Sequence, residues 1–529
     1  MEQEVRTIKV VGELIERHVN EKPDAEAIVC NGRRITWKEY DRQSDRAAMG
    51  LLKLGVKKGD RVGIYMPGWP EFLYIYLGAA KIGAITVPVS WQFTPQEIMF
   101  VINNAEVSVL VMAAGFMGID MLNNFEAVRD RLPTLKHLVM LEQDKAKHGM
   151  IPFNKFLTDA NPTLAAAEAT VSPENAVIFI YTSGTTGIPK AAILTNKNLI
   201  AYVGWQIDIS YLIGENTVLC NTPLNHVGGA VMGVISCLAA GNKLALMDHF
   251  NAEDTLQFIQ DEKITVIGQV PAQYALELLN PNIEKYDLSS VALAIVSSQP
   301  CPSELITAIQ KHMGVTPQNA YCLTEVSGAI SCTLPEHGED KLKHTVGVPS
   351  PGIDLVIMDP EGKILPTGQV GEIAIKGDAV MKGYWKRPDE DAKAFDKQDY
   401  FHTGDMGLLD QDGCLTIVGR KKEMFIRGGE NVYPPEVEEA VAQHPDVFMV
   451  AVVGRPHAVM GEVGRAYIIR RPGASPTAEG IGEFLRERLV KYKIPEDIIF
   501  RDSLPMTPLG KIKKLELYEE IRKEYEKSL

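Results

Sequence analysis

Three features of the sequence predict an α/β protein with a large N-terminal body and a small α+β domain at its C-terminus. As far as about residue 345, short β-branched or apolar runs alternate with amphipathic stretches, the pattern of largely parallel sheets covered by helices. Beyond that point Pro349, Pro351, Gly352, Gly362 and Gly368 punctuate short strands, as in a small antiparallel sheet or barrel. After Arg420 the pattern changes again, to a glycine-rich turn followed by a compact mixture of helices and strands.

In chain order, strands are predicted at 61–65, 85–89, 107–111, 176–181, 218–221, 243–246, 266–269 and 291–296. Helices with one apolar face are predicted among them at 37–54, 253–262 and 303–312. The small antiparallel unit holds strands at 371–377 and 415–418. A helix at 435–443, strands at 448–453 and 466–470 and a helix at 478–491 make up the last unit. The short polar link Arg420-Lys421-Lys422-Glu423 joins the two patterns, so the boundary is set between domains 1–421 and 422–529. There is no internal repeat and no low-complexity segment.

At about 150 residues per domain, 529 residues correspond to three or four compact units or one large body with an appendage. Hydrophobic residues at 45% and charged residues at 23% are globular proportions that exclude a disordered or fibrous chain. The 68 acidic and 54 basic residues leave a formal charge of −14, which repels nucleic acid and anionic lipid as main partners. A bound polyanion must therefore sit in a locally arranged pocket. Seven scattered cysteines without close pairing argue against a disulfide framework or a zinc site and for a reducing compartment. The stretch 72–89 is the most apolar near the start, but Lys81 interrupts it and Pro70 and Pro88 bracket it. A buried helix and strand are expected there, not a membrane span. No signal-peptide pattern opens the chain and the final Lys527-Ser528-Leu529 is not a peroxisomal address, so a cytoplasmic protein is expected.

The strongest chemical signal is 180–190, Ile180-Tyr181-Thr182-Ser183-Gly184-Thr185-Thr186-Gly187-Ile188-Pro189-Lys190. It follows one apolar strand and precedes another. Two glycines and four hydroxyl residues are expected to form a loop whose N–H groups and side chains can face one anion, and Lys190 adds a point charge. This is a phosphate cradle without the Walker spacing. A plain Gly/Thr surface turn is the bland reading, and so many ordered letters argue against it.

This string resembles the signature of the adenylate-forming (AMP-binding) superfamily, and further motifs occur in that family's order. They are Asn319-Ala320-Tyr321-Cys322-Leu323-Thr324-Glu325, Gly371-Glu372-Ile373, Tyr400-Phe401-His402-Thr403-Gly404-Asp405, Gly419-Arg420-Lys421-Lys422-Glu423 and Pro508-Leu509-Gly510-Lys511-Ile512. The resemblance spans nearly the whole chain and points to the acyl/aryl-CoA synthetase branch. It implies two α/β sheet subdomains plus a small β-barrel, followed by a mobile C-terminal domain. ATP would be held by Thr182, Ser183, Gly184, Thr185, Thr186, Gly187, Lys190, Asn319, Ala320, Tyr321, Thr324, Asp405, Ile417, Arg420 and Lys511. Tyr321 would stack on adenine, Asp405 would accept from the ribose hydroxyls, and Arg420 would bring its fork of donors to the sugar or α-phosphate. Glu325, with Thr185, would hold Mg2+, a hard ion that takes one or two carboxylates plus phosphate oxygens. Lys511, on the mobile domain, would stabilise charge as two anions meet, an effect worth ~3–4 kcal/mol in comparable sites. Lys422 falls on the hinge position. After rotation, Gly428, Gly429, Glu430 and Asn431 would line a tunnel for the CoA thiol.

The acid itself is less legible. His226 matches a gate beside the substrate carboxylate and is expected to act with Glu325 and Lys511 in catalysis. Trp205, Val227, Gly228, Ser297, Ser298, Cys322 and Gly328 are the other expected pocket residues. Amino-acid-activating relatives place an Asp near Asn225-His226; here no counter-ion is offered to an ammonium group, so amino acids are disfavoured. Cys322 stands where the family commonly has Gly, and Ser297-Ser298-Gln299-Pro300 where it commonly has Gly-Gly-Ala-Pro. Both exchanges add bulk and favour a compact acid: aromatic, alicyclic, branched or short-to-medium chain. Pro189-Lys190-Ala191-Ala192-Ile193 also resembles the aryl-CoA ligase branch. The expected enzyme makes an acyl-CoA through an acyl-adenylate, with ATP, Mg2+ and CoA, and a homodimer is admitted. Loading of a carrier-protein thiol, a non-catalytic scaffold and a luciferase-like oxidation are the rival readings.

Overall fold

The structure is a computed structural model that describes residues 7–182, 189–209, 214–298, 301–334, 336–457, 459–506 and 512–528. Two large sheets carry the N-terminal body. The seven-stranded sheet runs Met150–Pro152, His137–Met140, Val107–Met112, Arg61–Tyr65, Ile85–Val89, Ala176–Thr182, Lys190–Thr195, parallel except for its last pair. The nine-stranded sheet runs Val348–Pro349, Gly328–Cys332, Gln318–Leu323, Leu293–Ser297, Val266–Gln269, Thr217–Cys220, Lys243–Leu246, Glu26–Cys30, Arg33–Thr36, parallel in the middle and antiparallel at both edges. Central strands such as Ile85–Val89 are buried along their whole length, so they read as continuous apolar runs and not as alternation.

The 72–89 stretch resolves into helix Pro70–Lys81 and strand Ile85–Val89, both buried. Lys81, 7% exposed, keeps its charge there by pairing with Asp41 at 2.6 Å and with Asp45. Gly78 lets this helix touch helix Trp37–Lys53: a Cβ at that position would lie 2.6 Å from the Ser44 carbonyl oxygen. No helix among the described residues is long and apolar enough to cross a membrane.

The small antiparallel unit is a four-stranded sheet, Asp354–Met358, Gly371–Lys376, Phe401–Leu409, Leu415–Arg420. Its outer strand is continued by the chain at 346–347, where Val346 donates to Leu415 and Leu415 donates to Gly347. The C-terminal sheet runs Glu430–Val432, Phe425–Arg427, Gly461–Arg470, Val447–His457, with Asp497–Phe500 added parallel to Gly461–Arg470. Strands predicted at 448–453 and 466–470 are one end of a longer ribbon that continues to its turn at 457–461. The helix predicted over 478–491 stops at Arg486. Leu489 N–H turns back to the Leu485 carbonyl, and Val490 is extended, because Leu489, Tyr492 and Ile494 must cover the core of the small domain before the next strand.

Candidate active site

Lys190 opens the edge strand Lys190–Thr195 and faces Thr182 in the antiparallel pairing; the Thr182 hydroxyl donates to the Lys190 carbonyl at 3.4 Å. The phosphate loop is thus a hairpin connection with both ends held by the ladder. Ser183, Gly184, Thr185, Thr186 and Gly187 lie outside the described residues. The Lys190 ammonium is 2.9 Å from Glu390 Oε2 and 4.4 Å above the centre of the Tyr384 ring. The Tyr384 hydroxyl in turn donates to Glu325 Oε1 at 2.8 Å. Burial, then Glu325, pushes the Tyr384 phenol up, so it remains a donor. Lys393 and then Lys190 hold Glu390 down to about 2, so it remains an anion.

Segment 381–385 makes this chain of contacts possible. Lys382 donates to Ile193 and Ile193 to Gly383, both at 3.0 Å, and Trp385 donates to Ala191 at 2.8 Å. The segment thereby lies along the open edge of Lys190–Thr195 as a short extra strand. Met381 also donates to the Glu325 carbonyl at 2.7 Å. One stretch of backbone therefore ties the edge of the first sheet to the Glu325 turn of the second. Sequence reading missed Tyr384 and Glu390. Their signal is Gly383-Tyr384-Trp385 ahead of Pro388, a glycine–aromatic step before a helix start.

Glu325 sits half-buried in the one-turn 3-10 helix Thr324–Val326, which directly follows strand Gln318–Leu323. Thr324 is buried beside it. On that strand Asn319 is fixed by Thr333 and by a bond from its amide to the Thr345 carbonyl at 3.0 Å, and Ala320 is buried. Tyr321 is packed among Val326, Ile330 and Ile373, with Ile417 at the rim. Its hydroxyl donates to Asp405 Oδ2, while Asp405 Oδ1 lies 3.0 Å from Arg420 Nε. Asp405 and Arg420 are register partners across the two antiparallel strands, which explains their proximity despite a separation of fifteen positions. At 7% exposure Tyr321 leaves only a narrow face to a nucleotide.

Among the described residues no group of three or more His, Cys, Asp or Glu side chains forms a metal cluster. A single carboxylate on Glu325 suits Mg2+, which keeps few protein ligands and takes the rest from phosphate and water. Such an ion would need a nucleotide's phosphate oxygens to complete its shell.

Helix Asn196–Ile209 packs on the π-helix Gly228–Ile235, which lies against strand Gly328–Cys332 of the nine-stranded sheet; Trp205, Val227, Gly228 and Gly328 fall on or beside these elements, and Ser297 and Cys322 at the ends of neighbouring strands of that sheet. The π-helix is a wound segment of a kind often found at functional sites. His226 is half-buried in the turn before it, its N–H on Pro223 and its carbonyl accepting from Ala230. Val227 is buried, and Gly228 lies against the Thr222 side chain. Trp205 is 5% exposed, 6.0 Å from the ring of Tyr202. Gly328, with φ +150, lets that tyrosine close in: a Cβ there would meet its ring at 2.5 Å. Ser297 is buried, whereas Ser298 is exposed in the left-handed region at φ 73. Gln299 and Pro300 lie outside the described residues. Burial pushes the Cys322 thiol up to about 12, so no thiolate stands ready as a nucleophile.

Gly268 and Ile295 were not anticipated. They are register partners in the middle of the sheet, both half-buried amid buried neighbours. Gly268 shares a face with Val266, which belongs to the core around Trp205, while Ile267 points to the opposite core. A Cβ on Gly268 would meet nothing within 4 Å, and the same holds for Gly204 on helix Asn196–Ile209. An isolated glycine in a strand run was the available signal. Two surface clefts of about 260 and 500 Å3 flank the Arg33–Glu71 ion pair and touch none of these residues.

Around Lys422 the chain changes its attachments. Lys421 N–H is bound to the Gly404 carbonyl and its ammonium to Glu372, both in the large body. Two residues on, Glu423 is bound by Lys514 at 3.3 Å and by the Tyr518 hydroxyl, both in the C-terminal helix Lys514–Ser528. Gly428, Gly429, Glu430 and Asn431 form the exposed tip of a hairpin. Lys511 lies outside the described residues, as do Pro508, Leu509 and Gly510.

A phosphate-loop sequence joining the strands of the last hairpin of one α/β sheet, segment 381–385 tying that hairpin to the Glu325 turn of a second sheet, and a small domain attached through a two-residue switch of contacts together have the build of a two-domain ATP-using enzyme. The AMP-binding enzyme family matches residues 15–385, and the AMP-binding enzyme C-terminal domain matches residues 436–511. The chain belongs to this family, in its acyl/aryl-CoA synthetase branch, and is an AMP-forming acid–thiol ligase with ATP and CoA as substrates. The indoleacetate–CoA ligase of Aromatoleum aromaticum is 31% identical, over 95% of this chain and 96% of that one. The long-chain-fatty-acid–CoA ligase of Bacillus subtilis is 32% identical, over 94% of this chain and 92% of that one. The crystal structure of the anthranilate CoA ligase AuaEII in complex with anthranoyl-AMP is similar with a TM-score of 0.87 and 25% identity, covering 97% of each chain.

Proposed function

We propose that the chain joins a compact carboxylic acid, aromatic, alicyclic, branched or short-to-medium in length, to CoA through an acyl-adenylate. A carboxylate oxygen attacks the α-phosphorus of ATP, the bond to the β-phosphate oxygen breaks, and pyrophosphate leaves. The CoA sulfur then attacks the acyl carbonyl, the acyl–phosphate bond breaks, AMP leaves, and the thiol proton passes to solvent. In this reading Lys190 and the loop before it bind phosphate, Arg420 and Asp405 hold the ribose, His226 borders the reacting carboxylate, and Lys511 supplies the cation for adenylation. Mg2+ on Glu325 would neutralise phosphate charge. Positioning and charge neutralisation carry the catalysis, with no covalent nucleophile from the protein.

The observation that supports the compact class is the Tyr202–Trp205 pair. Both rings are buried behind Gly328 and the π-helix, where a long alkyl tail would have to pass. Indoleacetate and anthranilate, named for two similar proteins, are acids of this size; the fatty-acid ligase of similar identity makes the pocket, and not the overall likeness, the deciding argument. Domains 1–421 and 422–529 would rotate about Lys422 between the two half-reactions, bringing 428–431 to the CoA thiol. The test is pyrophosphate release from Mg-ATP across a panel of acids, with and without CoA, on wild type and Lys511→Ala. CoA-stimulated turnover with compact acids that collapses in the variant is expected. Turnover confined to long fatty acids would overturn the substrate class, and turnover indifferent to CoA would overturn CoA as acceptor in favour of a carrier-protein thiol.

A further inference from the structure

We propose that Tyr384 and Glu390 are positioning residues for adenylation: Glu390 holds Lys190 beside the phosphate loop until a triphosphate takes it over, and Tyr384 links that lysine to the carboxylate of Glu325. This rests on reading Lys190 as a phosphate ligand and Glu325 as the magnesium carboxylate.

Glu390 faces three cations at once, Lys190 and Lys393 each at 2.9 Å and Arg387 at 3.3 Å. Arg387 is also held by both oxygens of Asp389, so the three cations and these two carboxylates form one network in which Glu390 has more than one cation to itself. An arriving phosphate needs only to draw Lys190 away, because Lys393 and Arg387 keep Glu390 neutralised. The pair is not a solvated surface bridge of negligible worth: the Lys190 and Glu390 side chains are 14% and 10% exposed. Beneath the ammonium, the Tyr384 ring supplies its electron-rich face, and the hydroxyl of the same ring fixes one oxygen of Glu325. A shift of the lysine and the aim of the carboxylate are therefore mechanically joined through one side chain.

Both residues can be altered without dismantling their surroundings. Tyr384 is placed by backbone bonds at 382–385 and by its N–H on Asp391 Oδ1, not by its hydroxyl. Glu390 lies on helix Pro388–Ala394, whose approach is anchored by Asp391. Tyr384→Phe thus removes one hydrogen bond and keeps the ring; Glu390→Gln removes a charge and keeps the volume.

The experiment compares these two variants with Lys190→Ala and Glu325→Gln in the full chain. ATP binding is measured by calorimetry with and without Mg2+, together with KM for ATP, kcat of pyrophosphate release and the melting temperature. Glu390→Gln is expected to bind ATP about three- to tenfold tighter, its competing anion gone, while kcat falls about tenfold, and Glu390→Asp recovers part of kcat. Tyr384→Phe is expected to leave metal-free ATP binding unchanged and to raise the Mg2+ needed for half-saturation about tenfold, the loss of one hydrogen bond to a charged group. In the Glu325→Gln background the same change should add nothing. Unaltered binding and metal dependence in both variants would overturn the proposal, as would a loss of active protein with KM unchanged. If Lys190→Ala and Glu325→Gln themselves leave ATP binding untouched, the underlying site reading fails; if only those two act, the linkage alone fails.

Discussion

Gly268→Leu separates pocket chemistry from stability. Gly268 lies outside the left-handed backbone region, and a Cβ there meets nothing within 4 Å, so a side chain enters without strain or collision. Its register partner Ile295 is half-buried on the same side and packs against the core cluster that includes Trp205. A leucine at 268 fills space otherwise left to the acyl group. Excluding about three acyl carbons at ~0.8 kcal/mol each costs ~2–3 kcal/mol of transition-state binding. That is roughly a 30- to 150-fold fall in kcat/KM for the largest acid accepted. The assay is CoA-dependent pyrophosphate release along a series of acids of rising size. Acids of two or three carbons should change less than about threefold, KM for ATP should not move, and the melting temperature should hold. Large acids retained at wild-type kcat/KM, with the fold intact, would refute the assignment of this space to the acyl group.

Four further outcomes are expected. Lys511→Ala should lower adenylation about 100- to 1,000-fold and spare transfer from a preformed acyl-adenylate, as followed by acyl-AMP consumption with CoA. Asp405→Asn should raise KM for ATP roughly 10- to 100-fold, because Tyr321 and Arg420 both lose a charged acceptor. Lys422→Pro should leave ATP–pyrophosphate exchange intact and slow thioester formation at least about tenfold, since the switch of attachments between Lys421 and Glu423 is where rotation must be absorbed. Burial raises the Glu277 carboxyl from 4.5 to about 8, with Gln269 donating to it at 2.6 Å. The folded chain then holds a proton that the unfolded chain loses above about pH 4.5, so stability falls between about pH 4.5 and 8 and levels off above. Glu277→Gln should match wild type near pH 5 and exceed it by ~1–3 kcal/mol at pH 8 in denaturant titrations.

Elements whose burial is uniform were legible at once: 61–65, 85–89, 243–246 and 266–269 are strands at the predicted bounds, because a short apolar run between turn signals leaves little else to form. Bounds slipped where neighbours decide them. The ribbon Val447–His457/Gly461–Arg470 extends into polar residues because each strand satisfies the other's backbone, and no periodicity announces that. The helix at 478 ends early for the needs of the core below it. In the site, residues carried by contiguous motifs were found, including Asp405 and Arg420, which the hairpin register pairs directly. Tyr384, Glu390, Gly268 and Ile295 escaped because their importance arises from what lies across space: an edge strand, a turn of the other sheet, an empty volume.

The same distinction explains how a strongly acidic chain handles ATP, pyrophosphate and a second anion in one place. Among the described residues, both cations the reading assigns to the nucleotide are already engaged: Lys190 with Glu390 and Arg420 with Asp405. Burying such groups unpaired would be costly, so pairing is what keeps them in place before ligand arrives. It also tempers affinity, since phosphate must compete with a carboxylate that stays within reach. Tight ground-state binding of ATP would help little, and slow departure of pyrophosphate and AMP would limit turnover. An exchange of partners, in which the internal carboxylate reclaims its cation as each anion leaves, suits a ligase that must release two of them in every cycle. Removing Glu390, a partner that takes no part in holding the nucleotide itself, should therefore tighten binding and slow the reaction, the opposite signs expected for Glu390→Gln.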